Sequence, residues 1–192
     1  LANTLFGPRP SEGDESFRKP ALVLDDYWYE TELPRMVPAL GENAIKALVG
    51  WLVAYVKASG HVSDIADFSA RDRSAIGERD EHTDRAEDAL IDAVRDISVD
   101  GMHKAPVETL AVLLCSRAKL LRKIALHAVA QALHREIDSE GEVGPLIVAA
   151  KQLLQESESD DPSLRVEYAH LARAAARADP ASTSVVIPFL AT

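Results

Sequence analysis

An acid–base cluster is the part of this chain where residue types and spacing come closest to supporting chemistry. Glu78, Glu81, His82 and Asp84 lie close together in the sequence. A carboxylate beside an imidazole can adjust the histidine for proton transfer near neutral pH, which general acid–base catalysis requires. The same dense alternation of charge is typical of a solvated, salt-bridged loop that caps the next helix. We favour the solvated loop, and a small helical metal-dependent hydrolase that uses residues Glu78–Asp84 is the alternative.

Histidines elsewhere in the chain offer weaker candidates for a metal site. Glu167 and His170 form a single E-x-x-H step, whereas carboxylate-bridged di-iron bundles repeat this step on two helices and add further glutamates. His127 and His134 are seven residues apart and share a helix face. They have no Cys or carboxylate at ligand spacing, so they are typical of packing or capping residues. The sequence predicts no catalytic residue, no metal site and no cofactor.

Four cations form a basic cluster on an otherwise acidic chain, at Arg117, Lys119, Arg122 and Lys123. Such a cluster could contact nucleic acid or an acidic partner surface. We favour the alternative, in which these cations pair with Asp or Glu on the surface of the same protein. No aromatic residue interleaves them, which argues against stacking on single-stranded nucleic acid. The full set of interaction candidates comprises Arg73, Glu78, His82, Arg117, Lys119, Arg122 and Lys123.

The composition is that of an acidic all-α protein. Hydrophobic residues make up 47% of the chain but aromatic residues only 5%, which favours helix packing over a β-sandwich. The net charge of -10 disfavours non-specific binding to nucleic acid and to anionic membranes. The longest nearly uncharged run, Ala47–Val56, is shorter than the roughly 20 residues that cross a bilayer. The single cysteine, Cys115, lies in an apolar run and predicts a reduced compartment and a buried, inert thiol.

Hydrophobic periodicity predicts about seven helices in an irregular α-solenoid or HEAT-like helical array. Residues 1–24 are interpreted as a linker or extended N-terminal segment, and residues 25–192 as one helical-repeat domain. Residues Leu126–Leu133 are apolar on almost every side, which requires neighbours on several sides. A long loop is predicted between His61 and His82, and a turn around Gly101 over Val99–Ala105. The predicted helices are a short one near Trp28–Met36, Glu42–Ala58, one from Thr83 through Ile97, Val107–Cys115, 117–137, Val143–Gln155, Pro162–Arg177 and Ser184–Leu190.

Three short sequence motifs, in this order, are shared with one group of proteins. They are RSAIGERDEH at Arg73–His82 with the following helix ALIDAVRD at Ala89–Asp96, LRKIALH at Leu121–His127, and RVEYAHL at Arg165–Leu171. Together they resemble the helical C-terminal regions of large bacterial STAND-type NTPases, many of which are linked to anti-phage defence. The similarity covers about residues 28–189.

The resemblance implies a helical array beside a separate nucleotide-binding module, with a part in sensing, autoinhibition or oligomer contacts. Partners would then be other domains of the parent protein or other proteins, without a membrane. The phosphate-binding pattern G-x-x-x-x-G-K-[ST] does not occur in these residues, so any NTPase activity is expected outside them. The chain begins at Leu1 without a signal-peptide pattern, and we expect a segment of a larger cytoplasmic protein. The sequence predicts a non-catalytic scaffold or sensor segment.

Overall fold

Eight α-helices and no β-strand make up the regular structure of the described part of the chain, which confirms the all-α prediction. The structure is a computed structural model, and it describes residues 1–10, 27–58, 81–115, 119–156 and 164–182. The helices are α1 (Ala2–Phe6), α2 (Leu33–Met36), α3 (Glu42–Ala58), α4 (Glu81–Lys104), α5 (Pro106–Leu114), α6 (Lys119–Asp138), α7 (Gly144–Gln155) and α8 (Arg165–Ala178).

The helices pack in an alternating order that describes two layers. From α3 onward, each helix contacts the next helix in the chain and also the next but one. One layer, here the α3 layer, contains α1, α3, α5 and α7. The other, here the α4 layer, contains the helical segment 28–39, α4, α6 and α8. The apolar sides of the two layers face each other, so the core lies between them.

Helix α6 is the centre of this core. Its neighbours are α4 and α8 in its own layer and α5 and α7 in the other. The residues buried on it lie on all sides of the helix rather than on one stripe. They include alanines at Ala125, Ala128 and Ala132, each fully buried, whose small side chains let neighbouring helices approach closely. The prediction that the apolar stretch Leu126–Leu133 needs several neighbours is therefore confirmed.

The segment before α3 is helical but irregular, and its prolines are the reason. A π-helical turn over Trp28–Glu32 leads into α2, and a 3₁₀ turn over Val37–Ala39 follows it. Pro34 and Pro38 cannot donate a backbone hydrogen bond, so no long regular α-helix forms here. Tyr29, Leu33 and Val37 are each buried, which fixes one side of the segment to the core.

The prediction of a turn around Gly101 is wrong, because α4 continues through this glycine and ends at Lys104. Gly101 instead allows neighbouring helices to pack closely against α4. A Cβ atom at Gly101 would lie 2.7 Å from Thr109 Oγ1, 2.8 Å from Thr109 Cγ2 and 3.1 Å from Ile45 Cγ2. The missing side chain therefore lets α5 and α3 approach α4. The chain turns after Lys104, where Pro106 occupies the first position of α5 and restricts Ala105 to a non-helical conformation.

The N-terminal residues differ from an extended linker. Within the stretch 1–24, residues 2–6 form α1, and Phe6 is 5% exposed. The Phe6 ring stacks on Trp51 with a centroid distance of 4.7 Å, and Tyr29 Oη donates a hydrogen bond to Leu5 O at 3.1 Å. These contacts attach α1 to α3 and to the segment 28–39.

Cys115 corrects a second expectation from the sequence, because its side chain is exposed rather than buried. Helix α5 ends at Leu114 with Cys115 as its C-cap, and the inward positions of this run are Leu110 and Leu113. Of the loop predicted between His61 and His82, residues 61–80 lie outside the described residues, and Glu81 and His82 form the start of α4 rather than a loop. The predicted helix Ser184–Leu190 also lies outside the described residues. None of the described helices combines the length and the apolar content that a bilayer crossing needs.

We expect Gly101→Ala to lower the free energy of unfolding by about 1–3 kcal/mol, because both branches of Thr109 block the new methyl group and the helices must shift. Gly50→Ala is the matched control. It also lies within a helix, but its Cβ would meet nothing within 4 Å, so it should stabilise by about 0.5–1 kcal/mol. Urea unfolding of both variants measures this. Equal effects of the two substitutions would contradict the packing account.

Candidate functional site

A cleft of about 420 Å³ lies between the segment 28–39, α4 and α6. Its polar lining comes from two helix faces. On α4 the lining residues recur at one- and four-residue steps, and on α6 they recur every four residues, so each set shares one side of its helix. Prolines and valines complete the wall. The lining residues are Pro34, Val37, Pro38, Arg95, Asp96, Val99, Asp100, His127, Gln131 and Arg135.

One wall of the cleft is held in place by a single lysine at the end of α4. Lys104 Nζ donates hydrogen bonds to the carbonyl oxygens of Val37, Pro38 and Leu40 at 3.4, 2.8 and 2.5 Å. These carbonyls lie at the C-terminal end of the 3₁₀ turn, where helix carbonyls run out of backbone donors, and Val37 O also accepts a hydrogen bond from Leu40 N–H at 3.0 Å. A cation is also favoured there by the helix dipole. The lysine therefore fixes the prolines and Val37 against α4.

An ion pair between a buried carboxylate and a partly exposed guanidinium lines the cleft. The Asp100 residue is 3% exposed, and Arg135 Nη1 donates a hydrogen bond to Asp100 Oδ1 at 2.5 Å. Asp100 Oδ2 is buried and accepts no hydrogen bond. Because a buried carboxylate is stable only when its charge is balanced, this contact ties α6 to α4. The remaining oxygen is an acceptor that could take a hydrogen bond from a ligand.

Among the described residues that line the cleft, His127 is the one whose pKa is clearly shifted from its usual value. Burial lowers the pKa of its imidazole below the usual 6.5, and the nearby Arg95 guanidinium lowers it further. Arg95 is itself paired, with Nη1 3.0 Å from Asp92 Oδ1 and Nε 3.3 Å from Asp96 Oδ1. A neutral imidazole can accept a proton or donate a hydrogen bond near neutral pH.

A second charged contact joins the same two helices beyond the cleft. His103 Nδ1 on α4 lies against Glu136 Oε1 on α6, and the Glu136 residue is 7% exposed. Inside the cleft, the two arginines balance the two aspartates. In the described part of the chain, no three His, Cys, Asp or Glu side chains converge in a way that could hold a metal ion. The cleft is thus suited to a small neutral or zwitterionic molecule, held by hydrogen bonds against an apolar wall.

The described interaction candidates from the sequence, Lys119, Arg122 and Lys123, do not line this cleft. Arg73, Glu78 and Arg117 lie outside the described residues. His82 falls in the first turn of α4, and its side chain also lies outside them. The metal-dependent hydrolase considered for Glu78–Asp84 therefore stays a prediction. Glu167 and His170 lie one turn apart on α8, where Glu167 contacts a lysine of α6.

The described members of the basic cluster link helices to one another. Arg122 Nη2 donates a hydrogen bond to Glu156 O at 2.5 Å at the end of α7. Lys123 Nζ lies 3.7 Å from Glu167 Oε1 on α8. Lys119 begins α6 and is half-buried. Arg122 and Lys123 are thus positioned for contacts within the chain.

Sequence reasoning missed Asp100 and Arg135 as site residues and took His127 as a packing or capping residue. A signal for Asp100 was present, because continuing the helical period past Gly101 places it among Ile97, Ser98 and Met102, which are all buried. Comparisons with protein-family models, with curated proteins and with solved structures gave no match to this chain.

Arg135→Met should lower the free energy of unfolding by about 1–3 kcal/mol, because it leaves the Asp100 carboxylate buried without a counter-charge. Arg35→Met is the control. Arg35 pairs with Glu32 at 3.1 Å, but its side chain is 69% exposed, so the cost should stay below about 1 kcal/mol. Urea titration measures both. Adding Asp100→Asn to Arg135→Met should recover part of the loss, and an additive double variant would contradict the pairing.

The low pKa of His127 makes stability depend on pH. In the unfolded chain the imidazole takes up its proton at a higher pH than in the folded protein. The contribution of His127 is therefore fully present above pH 6.5 and is lost as the pH falls through the folded pKa. His127→Gln should flatten the fall in unfolding free energy below neutral pH, measured by urea titration across the pH range. Parallel curves for the variant and the wild type would contradict this.

Proposed function

We propose that this chain is a non-catalytic helical interaction segment of a larger multidomain protein, and that it binds its partner on the outer side of α5 and α7. One observation carries the proposal. Val107 on α5 and Val148 on α7 are each 61% exposed, and their two helices pack against each other. Exposed large apolar side chains on adjoining elements mark interaction surfaces more often than isolated ones do.

The charged side chains of the α4 layer have a different role from the exposed valines of α5 and α7. These charged side chains pair across helices, as Arg135 does with Asp100 and Lys123 with Glu167. Lys123 thereby holds α8 to α6. These groups are engaged in fixing the helices, so they support a rigid framework. The α4 layer also exposes Met36 and Val166, but these lie on α2 and α8, which do not pack closely against each other, whereas Val107 and Val148 lie on adjoining helices and support the opposite layer as the docking side.

The charged residues near these valines indicate which kind of partner would bind. Glu108 at the start of α5, and Glu140 and Glu142 just before α7, are all exposed. None of the three forms an ion pair with a cation of the described residues. The whole chain carries a net charge of -10. Acidic groups beside exposed valines complement a segment that is apolar on one side and basic at its edges, so we commit to a basic amphipathic helix of a partner domain as the occupant.

The alternating two-layer packing supports a HEAT-like array as the finer description of the fold. Three consecutive helix pairs, α3 with α4, α5 with α6 and α7 with α8, each follow the same order. Stacked pairs of this kind expose long continuous surfaces that suit protein binding. The sequence also resembles the helical regions of bacterial STAND-type NTPases. On that basis we extend the proposal to a sensing or autoinhibitory segment of a cytoplasmic defence protein.

A double variant, Val107→Ser with Val148→Ser, tests the docking surface. The probe is a fluorescent amphipathic peptide built from leucine and lysine, and binding is measured by anisotropy. We expect the double variant to bind about tenfold more weakly, because two apolar contacts are lost. Added salt should also weaken wild-type binding.

Val166→Ser is the matched control, since Val166 is 62% exposed but lies on α8. It should bind the peptide as the wild type does. If the control weakens binding as much as the double variant, the peptide binds without regard to this surface and the proposal is wrong.

A further inference from the structure

Another cavity, of about 310 Å³, lies in the groove between α3 and α5. Its apolar part comes from Gly50, Val53 and Ala54 on α3 and from Val112 on α5. Residues 9–10 close one side. A volume of this size lies within the range that small-molecule sites occupy in proteins.

The charge of this cavity is opposite to that of the protein. Arg9 and Lys57 line it, and none of the described lining residues is acidic. Among the described residues, neither cation forms an ion pair with a carboxylate. The chain as a whole carries a net charge of -10. Two cations that line one largely apolar cavity on such a protein favour a negatively charged ligand by direct electrostatic attraction.

The fold places Arg9 at the cavity through the attachment of the N-terminal residues. Trp51 Nε1 on α3 donates a hydrogen bond to Gly7 O at 3.0 Å. Gly7 has φ 78°, in the left-handed region that favours glycine. The chain therefore turns sharply after α1 and runs back along α3. Pro10 is buried at the end of this stretch, which fixes the backbone beside Arg9.

We propose that this cavity binds a small organic anion that has one negatively charged headgroup and a short aliphatic body. The headgroup lies between Arg9 and Lys57, and the aliphatic body lies against Val53 and Val112. The site is independent of the partner surface proposed above, because it uses neither Val107 nor Val148.

Cys115 provides a chemical probe of access to this cavity. It is the single cysteine of the sequence, its side chain is exposed, and it lines the cavity wall. Lys57 Nζ donates a hydrogen bond to Cys115 Sγ at 3.5 Å. An alkylating reagent therefore modifies one known position, and its rate measures access to the cavity.

The experiment compares two alkylating reagents of similar size, anionic iodoacetate and neutral iodoacetamide, on the folded protein by mass spectrometry. The ratio of the two rates senses local charge, since any change in thiol reactivity affects both reagents. We expect Arg9→Gln and Lys57→Gln each to lower the ratio of the iodoacetate rate to the iodoacetamide rate by about threefold. Lys46→Gln removes an exposed cation of the same helix outside the cavity, and it should leave the ratio unchanged.

Hexanoate then tests occupancy directly. It should slow the iodoacetamide reaction of the wild type in a saturable way, and the protection should be lost in Arg9→Gln and Lys57→Gln but kept in Lys46→Gln. Hexan-1-ol at the same concentration should protect much less. If hexanol protects as well as hexanoate, or if neither reagent ratio nor protection changes in the two cavity variants, the anion site is overturned. Circular dichroism of each variant confirms that it is folded.

Discussion

The burial of α6 on every side is the constraint on which the other helices depend. A helix with polar residues along one side can lie at the surface of a domain, but α6 has leucines and alanines around most of its circumference, so it is stable only when it is surrounded. Burying each leucine or isoleucine side chain contributes roughly 1.5–3 kcal/mol, less the entropy of ordering it. The neighbours that achieve this come from both layers. The alternating order of the fold follows, because the chain must pass from one layer to the other to cover both sides of α6.

Both layers expose single large apolar side chains, but the ion pairs that join α4, α6 and α8 lie in the α4 layer. In the α4 layer, pairs such as Arg135 with Asp100 join neighbouring helices, so the charged groups serve cohesion and shape one polar cleft. In the α3 layer the exposed residues of α5 and α7 include valines, and the groove between α3 and α5 contains two unpaired cations. A surface that has apolar area and unbalanced charge can gain free energy from a ligand, whereas internally paired charges gain little.

Local patterns were sufficient to predict most helices from α2 onward, but not α1, the end of α4 or the places where helices meet. The bounds of α3 were predicted to the residue, because its apolar stripe and the flanking glycines mark them clearly. Gly101 was taken as a break, since the same residue that ends a helix also permits close contact between helices, and only the neighbour at Thr109 distinguishes the two cases. The cleft joins residues near positions 35, 97 and 131, and no spacing along the chain brings them together. Asp100 and Arg135 became partners only through the packing of α4 on α6.

The contact of Lys104 with three carbonyl oxygens has a consequence for regulation. Acetylation of this one amine would remove its charge and leave at most one N–H to serve three acceptors. The segment that contains Pro34 and Pro38 would then lose most of its hydrogen bonding to Lys104, and this wall of the cleft would be held less firmly to α4. A single covalent modification of Lys104 could thus alter the shape of the cleft.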